Sequence, residues 1–241
     1  MRSPDPRPTH SASVSTVGGE AHEHAEEIYA GGSAAAVAAL ERLSASQLLE
    51  HVGQQFGRVA IACSFQKESS VILDLATAAA PGRFEIFTLD TGVLFQETAK
   101  TWQRFEDHFS VRIEGVRGSA PDRLWANDSA RCCDLRKVVP LRERLAGVDV
   151  WVTGVRRDQS PARAATPKLG WDRRHGLWKV APLADWSEQD VWSHILSAGV
   201  PYHSLHDRGY ASIGCVPCTV PGEGRNGRWA GAERTECGLH G

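Results

Sequence analysis

Val59-Ala-Ile-Ala-Cys63, then Ser64-Phe-Gln-Lys-Glu68, then the segment from Ser69 to Ala80 decide the fold. The first is a short apolar run, the pattern of a strand buried on both faces. The second is a loop, and the third reads as a helix that Pro81-Gly82 ends. Working toward the C-terminus, the same alternation repeats. Phe84 to Leu89 is a second strand, followed by Asp90-Thr91-Gly92 and a helix from Phe95 to His108. Val111 to Val116 is a third strand, Arg136 to Leu145 a helix around Pro140, and Val148 to Thr153 a fourth strand ending in Gly154. Leu177 to Ala181 is a fifth. Ser187 to Ser197 is a helix with Ser187 as N-cap and Asp190 at its third position. Toward the N-terminus, His22 to about Gly57 reads as helical, with Val37, Leu40, Leu43, Leu48 and Leu49 as apolar contacts.

Strands alternating with helices imply an α/β protein with a parallel sheet covered on both faces. Ligands of such sheets bind beyond the carboxyl ends of the strands. The loops after Cys63, Leu89 and Thr153 occupy that position.

The 241 residues fit one large domain, here 21–230, with a leader at 1–20 and a tail at 231–241. The leader is rich in Pro, Ser, Thr and Gly and lacks the apolar core of a signal peptide, so it reads as disordered. With no run of about 18 apolar residues, no transmembrane helix is expected, and the chain is assigned to the cytoplasm. The formal net charge of −2 argues against a nucleic-acid binder, whose surface is usually basic.

Six cysteines are present: Cys63, Cys132, Cys133, Cys215, Cys218 and Cys237. In a reducing compartment such pairs point to metal binding or redox chemistry. Arg131-Cys132-Cys133-Asp134 and Gly214-Cys215-Val216-Pro217-Cys218 supply four thiolates, enough for tetrahedral zinc or for an iron–sulfur cluster. Side chains of adjacent cysteines diverge, which suits separate iron corners better than a single ion. Cys63, at the end of the first strand, reads as a core cysteine. Cys237, in Glu236-Cys-Gly-Leu-His240, is a thiol on a terminal segment with Arg234 and His240 nearby, cations that favour the reactive thiolate.

These residues resemble a known family, the assimilatory adenylyl-sulfate and phosphoadenylyl-sulfate reductases. The resemblance runs from about Ala60 to His240 and rests on five segments. They are Ser64-Phe-Gln-Lys-Glu-Ser-Ser70; Leu89-Asp-Thr-Gly-Val-Leu-Phe-Gln-Glu-Thr98; Cys132-Cys-Asp-Leu-Arg-Lys137 with Pro140-Leu141; Gly214-Cys-Val-Pro-Cys-Thr219; and Glu236-Cys-Gly-Leu-His240. The resemblance implies an adenine-nucleotide α-hydrolase-like fold. It also implies one [4Fe–4S] cluster on Cys132, Cys133, Cys215 and Cys218, and a substrate without a 3′-phosphate.

By the same resemblance, Lys137 links cluster and substrate, and Arg163, Arg225 and Arg228 bind its anionic groups. Such arginine forks suit phosphate and sulfate oxygens. Ser64, Phe65, Gln66 and Ser69 would cradle the nucleotide at a helix N-terminus, and Leu89 and Gly154 would meet adenine through their backbones. Arg156 and Arg157 lie on the same loop as Arg163, and Asp90 reads as a turn cap. His203 and His206 are expected to shape the cysteine-bearing loop. Cys237 is the implied nucleophile, forming an S-sulfocysteine that a separate dithiol protein, thioredoxin, then reduces. A homo-oligomer is left open.

Two segments depart from the family's usual wording, Ser64-Phe-Gln-Lys-Glu-Ser-Ser70 in place of Ser-Phe-Ser-Gly-Ala-Glu-Asp, and Gln96 in place of Pro or His. They leave the phosphate and ribose contacts open. Three other readings compete. The same enzyme acting on the 3′-phosphorylated substrate, or on both substrates, is one. An ATP-pyrophosphatase-type RNA-thiolation enzyme is another, though it would carry Ser-Gly-Gly-x-Asp-Ser after the first strand. The third is a zinc-stabilised binding module.

Overall fold

The computed structural model describes residues 34–229 and 238–240. The leader at 1–20 and Cys237 lie outside the described residues. Six strands form one sheet in the order β3-β2-β1-β4-β6-β5. They are β1 (Val59–Ala62), β2 (Phe84–Leu89), β3 (Ile113–Val116), β4 (Val150–Val152), β5 (Leu169–Asp172) and β6 (Leu177–Val180). All neighbours are parallel except β5, which pairs antiparallel with β6 through a hairpin. The sheet is thus mixed, with one antiparallel edge strand that the sequence pattern did not flag. Leu169-Gly-Trp-Asp172 has neither an apolar run nor clean alternation, because an edge strand buries little.

The α-helices of five residues or more are α1 (Ala34–Glu41), α2 (Ala45–Gln55), α3 (Lys67–Ala79), α4 (Gln96–Phe109), α5 (Ser129–Cys133), α6 (Val139–Leu145) and α7 (Glu188–Ala198) among the described residues. The long N-terminal helix expected from the pattern breaks at Ser44. There Ser44 Oγ accepts from the Gln47 amide and Gln47 Oε1 accepts from the Ser44 amide, a capping box that starts α2 afresh. The expected box on α7 is present between Ser187 and Asp190. Gly199, at φ 65°, ends that helix in the left-handed conformation glycine adopts readily.

Side chains alternate along the strands, so each face has its own core. Val59, Ile61, Ile86, Val150, Val152 and Val180 pack with Leu48, Leu49, Ile72 and Leu73 of α2 and α3. Ala60, Phe87, Trp151 and Leu177 pack with Leu141 and Leu145 of α6 on the opposite face. Each fully buried Val, Leu, Ile or Phe stabilises the fold by roughly 1.5–3 kcal/mol. β1 lies between β2 and β4, so the chain winds outward in opposite senses on its two sides. The loops that leave β1 and β4 therefore part and open a crevice, the place where such sheets take ligands. No helix is long and apolar enough to cross a membrane among the described residues.

Candidate active site

The crevice is lined by all three loops expected from the sequence and by the tail residues Leu239 and His240. In the β1–α3 loop, the Ser64 amide donates to Ser69 Oγ at 3.0 Å, and the Ser64 and Ser69 hydroxyls lie 3.2 Å apart. Gln66 caps α3 with its backbone in the extended region and makes no side-chain cap bond. Its Oε1 instead accepts from the Ile213 amide, tying the loop to the segment before the CxxC turn. Phe65 holds a left-handed backbone, φ 60°, an uncommon state for a bulky residue. Its ring is buried, stacked on Trp102 at 5.5 Å and edge-on to Phe105 at 5.7 Å. Packing thus holds the strained turn that aims the α3 N-terminus into the crevice.

Gly154 follows β4 closely against α3; a Cβ there would stand 2.8 Å from Glu68 Cβ. The same contact carries a buried ion pair, Arg156 Nε to Glu68 Oε1 at 3.1 Å, with Arg156 Nη1 also on Asp158 at 2.6 Å. Arg157 pairs with Glu41. Neither arginine is left over for an anion; both brace the loop. Gln159 reaches Glu68 through Nε2 and Arg163 through Oε1, so the brace extends to the buried Arg163. Asp90 accepts from the Gly92 amide at 2.9 Å and pairs with Arg117, the turn-capping role expected.

Arg163, Arg225 and Arg228 all face the crevice, as do Lys137, Leu89 and Gly154. Arg228 is buried and donates from Nη1 to Ser212 Oγ at 3.3 Å and to the Ile213 carbonyl at 3.2 Å, while its Nε has no hydrogen-bond partner among the described residues. Its guanidinium lies over the Trp229 ring at 4.6 Å and Arg225 lies over the same ring at 5.8 Å. Arg228 has no carboxylate partner among the described residues. Lys137 likewise makes no hydrogen bond or ion pair among them. Two such cations facing a crevice are suited to an anionic ligand.

Beside the crevice lies a small cavity lined by Cys132, Cys133, Cys215 and Cys218. α5 presents the first pair. Its N-cap is Asp128, whose Oδ1 accepts from the Arg131 amide at 2.8 Å. A π-helical turn, Asp134–Val138, follows and places Lys137 before α6 resumes α geometry. Such turns are rare and recur at functional sites. The second pair sits on a tight turn over Val216–Cys218. That turn is stitched to the Asp90-Thr91-Gly92 loop by the Val216 amide on the Val93 carbonyl at 2.9 Å and by the Thr91 hydroxyl 3.3 Å from Cys215 Sγ. Arg136 completes the stitching with Nη1 on the Thr91 carbonyl at 2.6 Å.

Burial pushes the Cys132 and Cys218 thiols up, and for Cys218 the neighbouring Cys215 and Cys133 add to the rise. A buried four-thiol cavity therefore calls for positive charge to hold its thiolates. No three His, Cys, Asp or Glu side chains close around a single ion among the described residues. Cys63 stands apart, its thiol pushed up to about 12 by burial in the core.

Several residues that shape the site gave no sequence signal. Glu68 reads as the end of a loop, Arg136 as the start of a helix, and Trp151 as a strand residue. His203 and His206 brace the segment that leads toward the second cysteine pair. His203 Nε2 lies 2.9 Å from the Thr98 hydroxyl, and His206 Nδ1 lies 2.8 Å from the Tyr210 carbonyl.

A mostly parallel sheet with its crevice at the β1/β4 switch point and a loop lining it after each of those strands defines an adenine-nucleotide α-hydrolase-like protein. A family model described as "Phosphoadenosine phosphosulfate reductase domain" matches residues 58–221, and the chain belongs to that family, the APS/PAPS reductases. It is similar to proteins called adenosine 5′-phosphosulfate reductase from Geobacillus thermodenitrificans and Staphylococcus haemolyticus. The first is 42% identical over 215 residues, 83% of this chain and 91% of that one. The second is 41% identical over 214 residues, 81% of this chain and 86% of that one. Among solved structures, a phosphoadenylyl-sulfate reductase from Candida auris superimposes with a TM-score of 0.69 at 24% identity. It covers 76% of this chain and 96% of its own. An FMN adenylyltransferase from Candida glabrata shares the fold at a TM-score of 0.56 and 13% identity, with 85% of this chain and 74% of its own covered.

Proposed function

We propose that the chain reduces adenosine 5′-phosphosulfate to sulfite and AMP, with 21–230 as the catalytic domain and 231–241 as the tail that carries the nucleophile. The observation that carries this reading is that Lys137 and Arg228 line both the crevice and the four-cysteine cavity. An anion bound in the crevice would thus lie one side chain away from the thiols. The relatives named for the substrate without a 3′-phosphate, at about two-fifths identity, favour that substrate over its 3′-phosphorylated form.

The cysteine set fits a [4Fe–4S] cluster: four thiols around a cavity, with the Thr91 hydroxyl and Arg136 beside two of them. Such a cluster would supply a compact, fixed charge distribution next to the anion. The chain's own residues do the rest. The α3 N-terminus and the loop of Ser64, Phe65, Gln66 and Ser69 hold the phosphate, while Leu89 and Gly154 border the adenine. Lys137, Arg163, Arg225 and Arg228 neutralise the phosphate–sulfate anhydride.

Cys237 thiolate then attacks the sulfate sulfur. The bond from that sulfur to the phosphate oxygen breaks, AMP leaves with the electron pair, and Cys237 carries a sulfonate. A thiolate of thioredoxin, or of a similar dithiol protein, attacks Cys237 Sγ and sulfite departs with the electron pair. The second thiol resolves the mixed disulfide, so the donor is oxidised to a disulfide as sulfur gains two electrons.

The test is an anaerobic assay of purified protein with thioredoxin and each sulfonucleotide, with iron and sulfide analysis in parallel. Sulfite from the substrate without the 3′-phosphate, and roughly four irons and four sulfides per chain, is expected. Sulfite only from the 3′-phosphorylated substrate would correct the substrate. A zinc-loaded protein that makes no sulfite would overturn the assignment.

A further inference from the structure

The antiparallel hairpin β5–β6 belongs to no motif that the family assignment rests on, yet it and β4 hold the last described residues of the chain. Arg174, exposed in the hairpin turn, donates from Nη1 to the Gly238 carbonyl. His240 stacks on Trp151 of β4, with ring centroids 5.2 Å apart and planes 14° from parallel. Lys179 of β6 lies over the same indole, its Nζ 4.9 Å from the ring centroid. Leu239, between the two tethers, packs with Cys133 and Trp229 and with the Trp151 layer of the core.

The hairpin is itself built to hold this shape. Asp172 Oδ1 accepts from the Arg174 and His175 amides at 3.0 and 3.3 Å. Its Oδ2 lies 2.9 Å from His175 Nδ1, and Gly176 turns the chain at φ 66°. The His175 ring then meets the Trp151 edge at 5.5 Å. Trp151 therefore has His240 on a face, His175 against it and Lys179 near its ring, a receptor rather than an unspecialised core residue.

We propose that the β5–β6 hairpin and Trp151 form a dock for the C-terminal tail, in which Arg174, Trp151 and Lys179 act as positioning residues for Cys237. The dock grips the tail on the C-terminal side of the cysteine: Gly238 is bonded to it, and Leu239 and His240 line the crevice. Two tethers two residues apart hold the chain just C-terminal to Cys237. Pre-organisation of this kind raises the effective concentration of a nucleophile without touching substrate. The catalytic consequence rests on the proposed reductase reading; the docking itself does not.

The test is the rate at which iodoacetamide labels Cys237 in the anaerobic holoprotein, read peptide by peptide by mass spectrometry, without sulfonucleotide. Arg174→Ala and His240→Ala should each label Cys237 about three- to tenfold faster than wild type, the size expected for one lost hydrogen bond or ring contact. Arg174→Lys, which keeps a donor, should fall between. In turnover, Arg174→Ala should lower kcat and leave the KM for nucleotide unchanged. Equal labelling rates in wild type and both alanine variants would overturn the dock. So would faster labelling at Cys237 matched by faster labelling at the buried Cys63, since that signals general unfolding. If wild type makes no sulfite but the labelling difference stands, the reductase reading fails and the dock survives.

Discussion

The guanidinium of Arg228 lies flat against the backbone of Gly214, so that a Cβ on residue 214 would stand 2.4 Å from Arg228 Nη2 and 2.6 Å from its Cζ. The glycine before the CxxC turn is therefore the floor of an arginine site. Gly214→Ala must push out a guanidinium that borders both the crevice and the cysteine cavity. Charge-assisted hydrogen bonds of that kind contribute about 1.5–3 kcal/mol. Gly214→Ala should weaken AMP binding by calorimetry about tenfold or more, and Arg228→Ala should weaken it similarly. The double variant should lose little beyond either single change, because both act on one contact.

The value of Gly214 was in the sequence, but its reason was not. The motif that contains it points to thiol ligation; only the structure shows what the missing Cβ makes room for. The same division runs through the chain. The strands β1, β2, β3, β4 and β6 were legible, most of them because buried parallel strands read as apolar runs, as Val59-Ala-Ile-Ala62 does. β5 was not, because an edge strand need not be apolar. Cys132, Cys133, Cys215 and Cys218 were legible as a set because their spacing is chemistry. Arg156 and Arg157 read like Arg163, yet carboxylates on α3, α1 and the same loop consume them. Two of those partners, Glu68 and Glu41, lie far away in sequence, and no local pattern reports them. Trp151 and Lys179 were missed for the same reason.

Glu68 and Arg156 are both nearly inaccessible to water, and their pairing fixes the loop after β4 against α3. Removing one partner of such a pair leaves a buried charge, which costs about 3–5 kcal/mol. Glu68→Gln should therefore lower unfolding free energy in urea by that order. Glu68→Leu combined with Arg156→Met should recover much of the loss, since two apolar groups leave no orphaned charge. Recovery of stability without recovery of AMP binding would show that the pair also shapes the crevice. An unchanged urea midpoint for Glu68→Gln would mean that the pair contributes nothing.

Lys137 sits on the π-helical turn with its ammonium unpaired among the described residues, half-buried between the crevice and the thiols. A cation aimed at developing negative charge is worth more in the transition state than in the ground state. Lys137→Ala should reduce kcat for sulfite release by roughly 10²–10³, the range found when one such donor is removed. Iron and sulfide content should stay at the wild-type level, because no thiol is changed. Lys137→Arg should restore part of the rate. A fall in iron content that parallels the fall in kcat would assign Lys137 to holding the cluster instead.

His240, expected from the sequence as a cation beside Cys237, is instead docked as a neutral ring. Burial, and then Lys179, Arg163, Arg225 and His175 around it, hold its pKa well below the usual histidine value. An undocked tail in water would have an ordinary histidine, near about 6.5. The undocked state thus binds more protons over the interval below that value, and linkage makes docking weaken as pH falls. At pH 8 both states are neutral at this ring and docking is at full strength; below about 6.5 protonation drains the docked population. Iodoacetamide labelling of Cys237 also depends on thiol ionisation, so the readout is a ratio. Wild-type rate divided by that of His240→Phe, a variant that keeps a stacking ring without the titration, cancels the thiol and leaves His175 and Asp172 common to both. The ratio should stay flat from pH 8 to 7 and then climb as pH falls toward 5.5, approaching the gain seen on releasing the tail. A flat ratio across the whole interval would mean that the His240 ring is not what couples the tail to Trp151.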